Sequence, residues 1–84
     1  MDAKPTDLDL KLAAELDHAR DMLTMMGDEL ADDALVMREH GLAVQAVDIV
    51  SQMIGHIASV VRSEDRAGAV DNIGMCELRA KLKA

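Results

Sequence analysis

Glu15 and His18 stand three residues apart, the spacing that puts two side chains on one face of a helix. A carboxylate and an imidazole placed this way are half of the motif used by carboxylate-bridged di-metal bundles. Those bundles need Glu-x-x-His twice, plus a Glu from each of two further helices. Here the second copy is missing. Glu39 precedes His40 directly, and Met53 is the residue three before His56. A metal site or small helical enzyme would have to be built from Glu15, His18, His40 and His56, and that is the alternative reading of this chain. The principal expectation is a protein with no metal, no cofactor and no catalytic residue.

The remaining reactive side chains point the same way. Thioethers suit soft metals such as Cu(I), and Met22, Met25 and Met26 are clustered while Met75 neighbours Cys76. With no Phe, Tyr or Trp in the chain, however, methionine is the natural filler of irregular gaps, in a core or at an adaptable binding groove. Cys76 is the single cysteine, so it has no disulfide partner within the chain and cannot form a multi-cysteine zinc site. As a nucleophile it would need an activating base, and no motif here places one of the three histidines beside it. Ser51, Ser59 and Ser63 lie in no Gly-x-Ser-x-Gly elbow, and no phosphate-binding glycine loop or Cys-x-x-Cys is present. The Asp-Ser-Leu attachment motif of acyl carrier proteins is also absent, as is a His followed by Lys-Gly of the phosphotransfer type.

These side chains ride on a chain of 84 residues, long enough for one domain. Half of it is apolar and 30% is charged, which excludes a disordered polar tract. Without aromatics the core must come from Leu, Val, Ile, Met and Ala, side chains that favour close helix packing or burial against a second copy. Asp2, Asp7 and Asp9 interrupt the first dozen residues, so no secretory signal is read there, and the lone thiol fits a reducing, cytoplasmic setting.

The net charge of −7 is unevenly spread. Residues 1–40 carry 11 acids and 4 bases, whereas residues 41–84 carry 5 of each. The acidic half would repel nucleic acid or an anionic membrane and attract a basic protein surface. Asp28, Glu29, Asp32 and Asp33 are the candidate residues for such a partner.

All of the patterning is helical, which predicts an all-α bundle of three or four helices. Thr6 follows the single proline, Pro5, and can cap a helix with Asp7 and Asp9 in its first turn. Leu12, Leu16, Ala19, Leu23, Met26, Leu30, Ala34 and Met37 then recur at gaps of three and four. One long helix is expected over about 6–39, with Gly27 as the place where it could bend. The phase breaks at His40-Gly41, so a turn is placed at 39–42.

Residues 42–61 are apolar at thirteen of twenty positions. Gln45, Asp48, Gln52, His56 and Ser59 leave only a narrow polar stripe. An amphipathic surface helix needs about a 100° apolar arc, and this helix, about 42–62, greatly exceeds it. Asp48 at its centre argues against a membrane span. Ser51, Gly55 and Ser59, four apart, would permit a close helix crossing. A weaker helical segment over about 66–83 follows, capped by Ser63 or Asp65, and Gly74 is the point at which it could divide.

The first and second helices should pack antiparallel, with the last segment covering part of the remainder. That leaves the second helix short of cover. A homodimer is therefore expected, with Val47, Val50, Ile54, Ile57 and Val61 at its interface. The function that follows is a small acidic interaction or regulatory module.

Overall fold

The computed structural model describes residues 4–83. Four helices follow one another with no strand among the described residues: α1 (Asp7–Ala31), α2 (Ala34–Arg62), α3 (Arg66–Asp71) and α4 (Cys76–Lys83). α1 and α2 form an antiparallel hairpin, α3 packs on α2, and α4 comes back alongside α2, where Met75, Glu77, Leu78 and Lys81 share a small cavity with Ile49 and Met53. The all-α bundle of long first and second helices with a short C-terminal segment is the architecture observed.

Local chemistry accounts for each helix start. The Thr6 hydroxyl accepts the Asp9 N–H at 3.0 Å, and the Asp9 carboxylate accepts the Thr6 N–H at 3.0 Å, a reciprocal capping box. Asp65 caps α3 by accepting the Gly68 N–H at 2.9 Å. A side chain on Gly68 would run into that carboxylate, so glycine is the residue that lets the cap close. Ser63 instead ties the turn together through Asp65.

Two boundaries differ from the sequence reading. The chain reverses at Asp32-Asp33, not at 39–42, and the first helix ends at Ala31. The cause is Asp33, whose carboxylate accepts the N–H groups of Leu35 at 2.9 Å and Val36 at 3.2 Å and so starts a new helix. The phase break at His40 is real but takes another form. His40 leaves helical geometry (φ −132°, ψ 25°), and α2 continues through this kink with its apolar phase reset. Gly27 does not bend α1. It stays helical and buried. In the C-terminal segment the division at Gly74 is observed, since residues 72–75 separate α3 from α4.

The hairpin seam is narrow and built from small side chains. Ala13 and Gly27 of α1 are buried, as are Val44, Ser51 and Ala58 of α2. Ala13 and Gly27 are fourteen residues apart with Arg20 midway, and the three α2 residues are spaced by seven. Each set is one helical stripe. Ser51 donates its hydroxyl to the Val47 carbonyl at 3.0 Å, which satisfies it inside the seam. Of the serine-glycine spacing expected to allow close approach, Ser51 and Gly55 are used and Ser59 is not. Ala58, 0% exposed, takes that place, and Ser59 bonds to the Gly55 carbonyl on the surface. Ile73 and Leu78 complete the small core from the C-terminal side.

α2 meets the length and hydropathy of a membrane-crossing helix, with only 17% of its most apolar stretch buried. That stretch is thus poorly covered by its own chain, as the excess of apolar perimeter requires.

Candidate functional site

The surface that stands out is set by how α1 is rotated. Its apolar stripe, Leu12 to Leu30, does not point into the seam. At about 100° per residue it lies about 80° round the helix from Ala13, Arg20 and Gly27. Leu16 and Leu23, nearest the seam, are half-buried, whereas Leu12 (48%) and Met26 (53%) are exposed. The stripe as a whole therefore does not pack on the second helix. The small residues of α1 take the closest approach because they let the backbones come together, and the larger ones are turned aside.

The same geometry holds on α2. Val47, Val50, Ile54, Ile57 and Val61 lie on one side of its seam stripe. Val50 is 44% exposed and the other four are half-buried. Because the helices are antiparallel, the two rotated stripes fall on the same side of the hairpin. The opposite side carries Asp17, Asp21, Thr24 and Asp28 of α1 beside Asp48 and Gln52 of α2. There Arg20, Thr24, Asp48, Ser51 and Gln52 line one shallow groove together. The hairpin therefore has one side richer in apolar side chains and one that carries most of its acids, although exposed Leu10 falls on the acidic side and the most exposed large apolar residues, Leu42, Met25 and Leu8, lie outside the apolar face. The interface residues named from the sequence are all on the apolar face, and α1's contribution is what sequence reasoning missed. Its signal was present in the small residues at 13 and 27, one residue out of phase with the stripe.

The charged face is held by arginines. Arg62 of α2 pairs with Asp17 of α1, and Arg20 stands 3.1 Å from the other Asp17 oxygen and 3.1 Å from Asp21. The Arg20 contact to Asp17 lacks hydrogen-bond alignment, so this oxygen is held by charge alone. Arg66 at the start of α3 reaches back to Asp9 at 2.8 Å and fastens the open end of the hairpin. The Thr6 N–H bonded to Asp9, with Arg66 beside it, holds the Asp9 carboxyl below its ordinary 3.8, against a smaller opposing effect of burial. Lys83 bonds Asp71 at 2.8 Å and lowers that carboxyl in the same way.

The acidic partner residues do not form one patch. Asp33 is spent on capping α2, and the Asp32 N–H closes the end of α1. Asp28 lies on the charged face. Glu29 lies on the outer flank of α1, in a shallow groove with Met22, Met25 and Met26. The methionine cluster is thus on the surface, not in the core. Only one pairing exists among the metal candidates: His18 Nδ1 is 3.9 Å from Glu15, with both side chains well exposed. His40 is at the kink and His56 lies on α2. Among the described residues no group of three or more His, Cys, Asp or Glu comes together. Cys76 is free and exposed, with Arg79 Nη2 3.7 Å from its sulfur.

No family model, curated protein or solved structure matches this chain.

Proposed function

We propose that this chain is a small acidic protein–protein interaction module whose working surface is the apolar face of the α1–α2 hairpin. One observation carries the reading: Leu12, Met26 and Leu30 from one helix and Val50 from the other are exposed together, backed by a charged face. A contiguous exposed apolar patch rimmed by polar residues marks a surface that another molecule covers. The exposed free thiol of Cys76 supports a reducing, cytoplasmic compartment. A basic partner on residues 28–33 draws less support, because Asp32 and Asp33 already serve the turn.

The test is capture from the native host with tagged chains. Val50→Lys places a charge on the apolar face, and Gln52→Lys places one on the opposite face. Loss of captured protein with the first variant and not the second supports the reading. The same captured set for both variants overturns it.

The metal or enzyme alternative rests on the Glu15–His18 pairing alone. Elemental analysis of untagged protein decides it: stoichiometric metal that is lost on His18→Ala would replace the interaction reading.

A further inference from the structure

We infer that the molecule seated on the apolar face is a second copy of this chain, the two hairpins meeting face to face about a two-fold axis. The inference rests on the reading of that face as a docking surface, and it names the occupant.

The first argument is area. The chain exposes 6087 Å². A compact monomer of its mass exposes about 4,900 Å². The surplus of about 1,200 Å² is more than the roughly 800 Å² per partner that a stable protein interface covers. The second argument is shape. The radius of gyration is 15.1 Å and the molecule is flattened, 51 × 26 × 14 Å. A compact domain of this length has a radius of about 12 Å, and one of twice the length about 15 Å. The molecule is thus long and thin, a shape that leaves a broad side open to a second copy.

The third argument is charge and contour. Asp17, Asp21, Asp28 and Asp48 lie on the side away from the apolar face, so two copies can meet without bringing their acids together. Ala19 and Ala43, both exposed, lie among the larger side chains of the face and let the facing helices approach. A self-complementary patch is what a two-fold pairing uses. A bilayer is a poorer occupant. Helices that lie on membranes carry Lys and Arg on their polar side, whereas this hairpin presents carboxylates there.

The experiment is sedimentation equilibrium of the purified full chain, with helicity followed in parallel. The expected mass is twice 9.1 kDa. Val50→Lys and, independently on α1, Leu12→Glu should weaken association at least tenfold, and Gln52→Lys should leave it unchanged. If a face variant fails to fold, the wild type alone still decides. The unfolding midpoint of a dimer rises with protein concentration, and a midpoint independent of concentration overturns the inference. A helical wild-type species of 9.1 kDa also overturns it, while the docking reading still stands or falls on the capture comparison. A chain that is monomeric in solution but partitions onto neutral phosphatidylcholine vesicles overturns it in favour of a lipid surface.

Discussion

Gly27 of α1 lies flat against Val47 of α2: a Cβ on the glycine would stand 3.4 Å from Val47 Cγ1, at the inner edge of ordinary contact. Asp48 Oδ1 would stand at the same 3.4 Å, so two α2 side chains flank the glycine. A methyl group just fits, and a longer side chain does not. Gly27→Ala should therefore stabilise the protein by up to about 1 kcal/mol, because alanine holds a helix better than glycine. Gly27→Leu should cost about 1–3 kcal/mol by forcing the helices apart. Urea unfolding of the three proteins checks both signs. A destabilising alanine would mean that the seam is tighter than the structure places it.

Asp17 and Arg62 link the two helices on the charged face, and each side chain is about a third exposed. Partial solvent screening keeps such a pair modest. A double-mutant cycle with Asp17→Asn and Arg62→Gln should return a coupling of about 0.5–1 kcal/mol in dilute buffer, reduced in 1 M salt. No coupling at low salt would show that the pair is held apart in solution.

Asp33 decides where the chain turns. Removing its carboxylate leaves the Leu35 and Val36 N–H groups without their acceptor, so Asp33→Ala should cost about 1 kcal/mol. Asp33→Asn should restore most of the loss. Asp32→Ala closes no cap through its side chain and should change stability by less than about 0.5 kcal/mol. Thermal melts of the three variants compare them directly, and equal losses at positions 32 and 33 would contradict the cap.

Asp9 should respond to acid. Its folded carboxyl is held below 3.8, first by the Thr6 N–H and also by Arg66, so the unfolded chain binds the proton more tightly. Its contribution to stability is complete above pH 3.8 and is lost as pH falls through the lower folded value. Asp71, held by Lys83, has the same sign. Carboxyl NMR titration should find both groups below their ordinary value, and Asp9→Asn should flatten the fall in helicity across that window. An Asp9 that titrates at or above 3.8 would contradict the capping geometry.

The sequence by itself determined that the chain is helical. It also located the start of α1 after Thr6, narrowed the cap of the C-terminal segment to Ser63 or Asp65, marked Gly74 as the point at which that segment could divide, and showed that residues 42–61 are apolar round most of the helix. These follow from local hydrogen bonding and from composition, which need no knowledge of what lies across the molecule. Tertiary structure decided the rest. Periodicity placed the reversal at His40-Gly41, and only the pairing of α1 with α2 shows that the chain reverses at Asp32-Asp33 and that His40 is a kink. Periodicity located the stripe from Leu12 to Leu30 but not the direction it faces. Close packing chose the small residues at 13 and 27 for the seam, since helix backbones approach where side chains are short. That choice turned the larger residues outward beside Val50 and created the face on which the proposed function depends.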